Sequence, residues 1–211
     1  MDEVYQVLAR QRIVPVIRTA SEVSAQHIAE TACEAGFRII ELTTTIPNVF
    51  GLVETLANRY PRVMVGIGTL QQEDHVRQAV DAGARLLITY KVSEVVARIG
   101  QQAQVPYILG AATPTEVDRC LELGSPIVKW FPAAVLGWEA LRHMRGPLPM
   151  ARFFPTGGIT PESVPQWLEA GAVAVGIGGS LVGYQLGDEG SRTMLQVRLR
   201  SVMTQFGGVP G

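Results

Sequence analysis

Lysine is nearly missing from this 211-residue chain. Its 18 basic residues include two lysines, Lys91 and Lys129, and the others are arginine. Lys129 lies in the apolar run SPIVKWFPA (125–133), where a charged amine must leave water at a cost or lose its charge. Because a desolvated lysine can lose its proton and an arginine cannot, this lysine points to chemistry rather than to surface charge.

An excess of one sign of charge is also lacking, as are long apolar runs. The formal net charge is -1, charged residues make up 18% of the chain, and neither sign forms a block. We therefore expect neither nucleic acid nor a membrane surface as a partner. Every apolar run is too short to cross a bilayer, and the acidic, amphipathic start MDEVYQVLARQR is unlike a signal peptide. These features predict a cytoplasmic protein.

Cysteine and histidine are too scarce and too scattered to predict a disulfide framework or a metal site. The two cysteines, Cys33 and Cys120, fall in separate helix-like segments, which favours buried free thiols, with a disulfide as the alternative. His27, His75 and His143 fall in helical stretches without metal-ligand spacing, so we expect them at the surface. We expect neither a metal nor another cofactor.

What the chain does contain is a repeated segment built around a glycine. The copies are EAGFRIIEL, DAGARLLIT, ELGSPIVKW and EAGAVAVGI, with their glycines at positions 36, 83, 124 and 171. A glycine directly after an amphipathic helix supplies the left-handed C-terminal cap. The apolar runs that follow have the length and the Ile, Leu and Val content of buried parallel strands. Each copy therefore predicts a helix followed by a strand.

The glycine spacing predicts the architecture. Successive glycines are 47, 41 and 47 residues apart, and one strand–helix unit needs roughly half of that. The runs IVPVIR, VMVGIGT, VPYILG and RFFPTGG supply the intermediate strands. Eight strands alternating with eight helices predict a single α/β domain over 1–211, a (β/α)8 TIM barrel with a short helix at 2–11 below it. A doubly wound open sheet is the alternative.

The repeat also places two charged residues at the same depth. Glu41 and Lys129 each lie five residues after the glycine of their copy, on even-numbered strands, which share side-chain layers in a (β/α)8 barrel. Ile88 and Gly176 hold this position in the other two copies. If the layer points inward, Glu41 and Lys129 meet on the barrel axis and Gly176 leaves room for a ligand. A structural ion pair is the alternative, although such pairs seldom stabilise a protein.

Polar residues and glycines gather where the predicted strands end, the face that carries chemistry in such barrels. Arg18 ends strand 1, and its charge suits an anion. Glycine-rich stretches end strand 7 (156–158) and strand 8 (176–180), where barrels of this type often bind phosphate through backbone N–H groups. Thr69 and Thr156 could equally be ordinary turn residues.

These features together describe a reaction. A neutral lysine amine attacks a ketone and forms a Schiff base, which draws electrons from the adjacent carbons. A nearby carboxylate can relay protons, an arginine can hold a carboxylate, and a glycine-rich loop can hold a phosphate. The combination suits cleavage of a phosphorylated 2-keto acid, or the reverse addition of pyruvate to an aldehyde.

The motifs of the chain resemble those of a known family. IVPVIR, IIELTTTIPN, VGIGTL, IVKWFPA, FPTGGITPE and GIGGSLV are similar, in order and over nearly the whole chain, to motifs of the class I 2-keto-3-deoxy-6-phosphogluconate (KDPG) aldolases, which include the 4-hydroxy-2-oxoglutarate (KHG) aldolases. The most specific parts are KWFPA and PTGGI. The resemblance implies cleavage of a KDPG-type acid to pyruvate and glyceraldehyde 3-phosphate, or of 4-hydroxy-2-oxoglutarate to pyruvate and glyoxylate.

The resemblance also implies residue roles and a homotrimer. It assigns the Schiff base to Lys129 and the acid/base role to Glu41. The implied substrate contacts are Arg18 and Thr69 at the pyruvate carboxylate, Phe131 beside the bound carbons, Thr156 near the substrate hydroxyls, and Gly157, Gly158, Gly179 and Ser180 at the phosphate.

The chain departs from the family pattern in two places. Thr45 stands where many relatives carry arginine, and strand 4 ends in Thr89, Tyr90 and Lys91 instead of Ser-Pro and a small residue or histidine. We expect Tyr90 to narrow the mouth. Lys91 is a rival candidate for the nucleophile, but it lies past the strand end, where solvent is expected to keep its amine protonated. Two other functions stay open: an oxaloacetate decarboxylase that uses the same lysine, and a sugar-phosphate binding protein without catalysis.

Overall fold

The computed structural model describes residues 2–183 and 189–207. The predicted domain over 1–211 also includes residues 1, 184–188 and 208–211, which lie outside the described residues. The strands are β1 Ile13–Ile17, β2 Ile39–Thr43, β3 Met64–Gly68, β4 Leu86–Ile88, β5 Tyr107–Ala111, β6 Ile127–Trp130, β7 Arg152–Phe153 and β8 Val175–Ile177. The helices are α1 Asp2–Gln11, α2 Glu22–Glu34, α3 Val49–Arg59, α4 Glu73–Asp81, α5 Glu94–Ala103, α6 Pro114–Glu122, α7 Ala133–Leu136, α8 Trp138–Met144, α9 Val164–Glu169, α10 Gly179–Val182 and α11 Glu189–Phe206. A 3-10 turn at Pro161–Ser163 precedes α9.

The described strands form one curled parallel sheet in the order β7-β6-β5-β4-β3-β2-β1-β8. Its two edge strands come together, because the N–H of Val173 donates to the carbonyl of Phe153 (2.9 Å) and the N–H of Gly176 donates to that of Pro155 (2.8 Å). This order runs around the sheet without the reversal of a doubly wound fold. The alternative of an open doubly wound sheet is therefore wrong, and the fold is of the TIM-barrel type.

The repeat glycines end their helices as predicted. Gly36, Gly83, Gly124 and Gly171 have φ angles of +99°, +84°, +80° and +100°. A side chain with a Cβ rarely adopts this left-handed conformation, whereas glycine does so without steric cost. The finding confirms the cap prediction and explains why each copy turns directly from helix into strand.

The strand-7 region pairs more briefly than its sequence run predicts. The strand assignment of β7 ends at Phe153, although the N–H groups of Phe154 and Thr156 still donate to the carbonyls of Val128 (2.8 Å) and Trp130 (3.1 Å) of β6. An isolated bridge also joins Thr156 to Gly176. Pro155 has no N–H to donate on the opposite side, toward β8, where its carbonyl accepts from Gly176. The two glycines after Thr156 have φ angles of +101° and +75°, so the chain leaves the sheet there and forms a loop.

One end of the sheet interior is apolar and is covered by α1. Val4 and Leu8 of α1 are buried against inward-facing side chains of the strands, which are Val14, Ile39, Met64, Leu86, Ile88, Ile108, Ile127, Phe154 and Ala174. Gln11 holds the end of α1 in place, because its amide donates to the carbonyls of Ile13 (2.7 Å) and Ile39 (2.8 Å). Polar chemistry therefore has to lie at the opposite end, which we call the mouth.

Both cysteines are free thiols; Cys120 is buried as predicted, whereas Cys33 is half-buried, which corrects the prediction that both are buried. Burial raises the pKa of each thiol to about 12. The charges of Glu30 and Glu34 add to the effect at Cys33, and Glu116 adds to it at Cys120. Neither thiol is therefore an effective nucleophile at neutral pH.

The histidines lie on the outer helices. His27 and His143 are exposed, as predicted, while His75 is half-buried because its ring packs 5.7 Å from that of Phe50. Across the described ranges, no helix combines the length and the apolar character needed to cross a membrane.

Candidate active site

Lys129 and Glu41 meet inside the sheet near the mouth. Nζ of Lys129 donates to Oε1 of Glu41 at 2.9 Å and to Oε2 at 3.2 Å. The Lys129 side chain is 6% exposed and the Glu41 side chain is 0% exposed. This contact confirms that the two residues at equal depth converge, while their catalytic roles stay predictions. Burying two charges carries a large desolvation penalty, so a purely structural pair would contribute little stability.

Gly68 of β3 provides the space that the Glu41 carboxylate occupies. A Cβ on Gly68 would overlap Oε1 of Glu41 and lie 2.6 Å from its carboxyl carbon. Any other side chain would therefore displace the carboxylate from its contact with Lys129. Sequence reasoning missed this residue, although the paired glycines of VGIGTL were a signal of close approach.

The layer that contains Glu41 and Lys129 is completed by Ile88 and Gly176. Ile88 is buried in the apolar interior, as its type suggests. A Cβ on Gly176 would lie 3.0 Å from Cγ2 of Thr156 and 3.1 Å from Cζ of Phe154. The expectation that Gly176 leaves room for a ligand is therefore wrong, because its neighbours already fill that space.

Thr156 is brought to the site by this arrangement. The residue is 6% exposed, and its hydroxyl is buried without a hydrogen-bond partner in the described part of the chain. A buried hydroxyl without a partner is costly, which favours a ligand or water as the missing partner.

Arg18 and Thr69 lie together at the mouth, and Thr44 supports their arrangement. Nη2 of Arg18 donates to Oγ1 of Thr69 at 3.1 Å. Thr69 has a φ angle of +64°, an outlier for a β-branched residue. Thr44 supports it, because its hydroxyl donates to the carbonyl of Thr69 (3.0 Å) and its N–H donates to that of Gly68 (3.0 Å). Backbone strain of this kind is often found at ligand sites.

A cavity of about 450 Å³ opens at the mouth. Lys129 lines it, and Glu41 lies behind Lys129. The predicted substrate contacts that line it are Arg18, Thr69, Phe131, Thr156, Gly157, Gly158, Gly179 and Ser180. The structure adds Val16, Tyr90, Ile159, Thr160 and Gly178. The fold thus brings the predicted residues to one place, and their contacts with substrate stay predictions.

The two glycine-rich stretches form one side of the cavity. A Cβ on Gly158, whose φ is +75°, would lie 2.5 Å from Cβ of Ala134, so this position requires glycine for both space and conformation. The hydroxyl of Ser180 donates to the carbonyl of Ile159 at 2.7 Å, which ties the two stretches together. Because that proton is already used, Ser180 would donate to a phosphate through its backbone N–H.

Of the residues that depart from the family pattern, some line the cavity and others are exposed outside it. Tyr90 lines the cavity, as expected of a residue that narrows the mouth. Lys91 is exposed and outside the cavity lining, and an amine in solvent is a weak nucleophile. Thr45 is also exposed, with its Oγ1 2.8 Å from Oγ1 of Thr43.

The fold and the cavity define a class of protein. A barrel-type sheet that holds a buried lysine against a carboxylate, with an arginine at the same mouth, has the groups that Schiff-base chemistry on a keto acid requires. The chain belongs to the KDPG and KHG aldolase family, whose sequence model matches residues 4–194.

Individual relatives are similar over most of their length. The chain is 29% identical over 175 residues to the KHG/KDPG aldolase of Escherichia coli (strain K12), a match that covers 82% of each chain. It is 26% identical over 186 residues to the 2-dehydro-3-deoxy-6-phosphogalactonate aldolase of the same strain, covering 87% of this chain and 90% of that one. Among solved structures, the KDPG aldolase from Legionella pneumophila with pyruvate captured as a covalent carbinolamine has a TM-score of 0.81 at 26% identity, covering 97% and 98% of the two chains.

Proposed function

We propose that this chain is a class I aldolase that cleaves a 2-keto-3-deoxy-6-phospho sugar acid to pyruvate and glyceraldehyde 3-phosphate. 4-Hydroxy-2-oxoglutarate, which yields pyruvate and glyoxylate, is a second substrate. The observation that carries the proposal is the buried contact of 2.9 Å between Lys129 and Glu41 at the wall of the cavity. The carbinolamine trapped in the Legionella relative supports the same chemistry here.

Schiff-base formation begins at Nζ of Lys129. The uncharged amine attacks the C2 ketone of the substrate, while the Glu41 carboxyl, which holds the proton that Lys129 has given up, protonates the ketone oxygen to form the C2 hydroxyl. Glu41 next accepts the proton that the new carbinolamine nitrogen releases. Glu41 then returns this proton to the C2 hydroxyl, which leaves as water. The product is a positively charged iminium that links the substrate to Lys129.

Cleavage uses the iminium as an electron sink. A base removes the proton of the C4 hydroxyl, the C3–C4 bond breaks, and its electron pair moves through C3 and C2 to the iminium nitrogen. The aldehyde leaves, and the enamine of pyruvate remains. Protonation at C3 and addition of water at C2 then release pyruvate and restore the amine. We assign these proton transfers to Glu41, which contacts the reacting nitrogen directly.

Substrate orientation follows from the charges around the cavity. Arg18, held by Thr69, offers its guanidinium to the carboxylate of the keto acid, a planar partner that suits its fork of donors. The glycine-rich stretches at 156–158 and 178–180 line the cavity and offer backbone N–H groups to the phosphate. The cavity volume of about 450 Å³ is in the range of small-molecule sites.

The proposal includes a single (β/α)8 barrel domain over 1–211 and a cytoplasmic homotrimer. The family resemblance supports the trimer, and two free cysteines suit a reducing compartment. Sedimentation equilibrium of the purified protein is expected to give three times the chain mass, and a monomer at all concentrations would contradict the assembly.

Borohydride reduction in the presence of pyruvate tests the chemistry. We expect a mass increase on Lys129 in the wild type and in Lys91→Met, and none in Lys129→Met. EDTA is expected to leave turnover unchanged. Faster release of CO2 from oxaloacetate than of pyruvate from either aldol would favour a decarboxylase. Binding of the sugar acid without any turnover would favour a protein that has lost catalysis.

A further inference from the structure

Tyr90 enters the cavity because the chain turns inward after β4. A Cβ on Gly110 of β5 would overlap the carbonyl group of Tyr90 and lie 2.5 Å from the nitrogen of Lys91. The N–H of Gly110 also donates to the carbonyl of Lys91 at 3.2 Å. Gly110 is the register partner of Lys129. The backbone of Tyr90 therefore rests on the strand next to Lys129, and neighbouring strands are about 4.8 Å apart.

The Tyr90 ring lies one layer farther out than the reacting amine. Tyr90 follows Ile88 by two residues, as Phe131 follows Lys129, and Ile88 and Lys129 occupy one layer of the interior. The Tyr90 and Phe131 rings pack with centroids 6.0 Å apart at an angle of 59°. Gly157 also packs closely against Phe131, because a Cβ on Gly157 would lie only 3.0 Å from Cε2 of the Phe131 ring. Two rings and a glycine loop thus bound the path that leads outward from Lys129.

The phenol hydroxyl of Tyr90 is available to a ligand. Within residues 2–183 and 189–207, no other protein group hydrogen-bonds to it, whereas the hydroxyl of Tyr107 donates to the carbonyl of Leu123 at 2.6 Å. Tyr90 is half-buried in the cavity wall. A tyrosine in such a place normally finds a partner for its hydroxyl.

We propose that Tyr90 hydrogen-bonds the C5 hydroxyl of the substrate and so selects sugar acids that yield hydroxylated aldehydes over those that yield glyoxylate. This inference rests on the proposed function. Lys129 holds C2, and the C4 hydroxyl has to stay beside the acid/base group for cleavage. C5 lies one carbon farther out, toward the layer of Tyr90 and Phe131. 4-Hydroxy-2-oxoglutarate has a carboxylate at C5 and offers no hydroxyl there.

The test compares Tyr90→Phe with the wild type on three substrates. The variant removes one oxygen and keeps the ring against Phe131. We expect kcat/KM for the phosphorylated six-carbon acid to fall about tenfold, the effect of one hydrogen bond in a partly desolvated site. The value for 4-hydroxy-2-oxoglutarate, and for the 5-deoxy analogue of the six-carbon acid, is expected to change less than twofold.

Two controls separate this inference from the proposed function. Tyr60→Phe alters a tyrosine of another cavity, and it should leave all three values unchanged. Borohydride trapping of pyruvate, which has no C5, should be equal in Tyr90→Phe and wild type. An equal change on all substrates, or no change on any, overturns the role of Tyr90 while the aldolase function stands. A wild type that traps no pyruvate and cleaves no aldol overturns the function itself.

Discussion

Two neighbouring layers inside the sheet differ in what they hold, although both are buried. The lower layer on the even-numbered strands is apolar and consists of Ile39, Leu86, Ile127 and Ala174. The layer above it consists of Glu41, Ile88, Lys129 and Gly176. On β2 and β6, two residues of rise therefore separate the hydrophobic core from the contact between Glu41 and Lys129.

The difference teaches that burial does not by itself distinguish core from active site. The lower layer is covered by Val4 and Leu8 of α1, whereas the upper layer faces the cavity through Lys129. Gly68 provides clearance beside Glu41, because it carries no side chain where the carboxylate lies. Two features distinguish the upper layer from the lower one. The upper layer borders the cavity, and a glycine, Gly68, lies against its Glu41 carboxylate.

Making the upper layer apolar is expected to have the largest effect on turnover. The double variant Lys129→Met with Glu41→Leu should show no measurable cleavage and no pyruvate labelling. The free energy of unfolding of the double variant should equal that of the wild type or exceed it by up to ~4 kcal/mol, because both buried charges are removed. In Lys129→Met alone, the free energy of unfolding should fall by about 3–5 kcal/mol, since Glu41 is left unpaired.

Urea unfolding and a pyruvate-release assay on the three proteins measure both effects. A double variant as unstable as Lys129→Met would mean that the ion pair holds the layer together, and the contrast between the layers would then be one of packing instead of chemistry.

Gly68→Ala should have the next largest effect. The new methyl group overlaps the Glu41 carboxylate and moves it away from Lys129, so we expect kcat to fall about 100-fold, in the range for loss of an acid/base group. Gly66→Ala is the matched control on the same strand, because its Cβ would lie 3.3 Å from the nearest atom, the carbonyl oxygen of Ile40. Initial rates at saturating substrate measure kcat for both variants. An equal fall in kcat in Gly68→Ala and Gly66→Ala would contradict the prediction.

Thr44→Val should affect binding more than catalysis. The valine cannot donate to the carbonyl of Thr69, so the left-handed turn that places Thr69 beside Arg18 loses a support. We expect the KM for pyruvate in the synthetic direction to rise about tenfold, the effect of one lost hydrogen bond, with kcat within threefold. Thr44→Ser should restore the KM, and the exposed Thr45→Val should not change it. A lower kcat at unchanged KM would argue against this role for Thr44.

Ile127→Ala in the lower layer should have the smallest effect on turnover. Removing a buried isoleucine side chain is expected to lower the free energy of unfolding by about 2–4 kcal/mol. Turnover per folded molecule at 25 °C should stay within twofold of the wild type, because the reacting groups lie in the next layer. Loss of pyruvate labelling in this folded variant would show that the layers are coupled.

The repeat in the sequence was sufficient to place Glu41 and Lys129 in one layer. Strand side chains alternate with a period of two residues, so equal offsets from a helix-capping glycine give equal depth and the same side of the sheet. The family resemblance then assigned the substrate contacts around that layer, and the structure gathers these residues around one cavity. Such local patterns were reliable because the glycine caps and the apolar runs repeat with little variation.

Contacts between strands were harder to predict. Gly68, Thr44 and the neighbours of Gly176 matter because of atoms on other strands, and the sequence contains no direct sign of which atoms these are. The missing N–H of Pro155 could have predicted weaker pairing on the β8 side, whereas the continued hydrogen bonds of Phe154 and Thr156 to β6 could not be predicted from the sequence.

The sequence by itself determined the alternation of strands and helices, the inward layer of Glu41 and Lys129, and the membership of an aldolase family, because periodicity, caps and motifs are local properties. Only the tertiary structure decided that Glu41 lies against Gly68, that Thr156 fills the space beside Gly176, and that Tyr90 turns into the cavity over Gly110. These are distances between strands far apart in the chain, and they follow from how the whole sheet curls and packs.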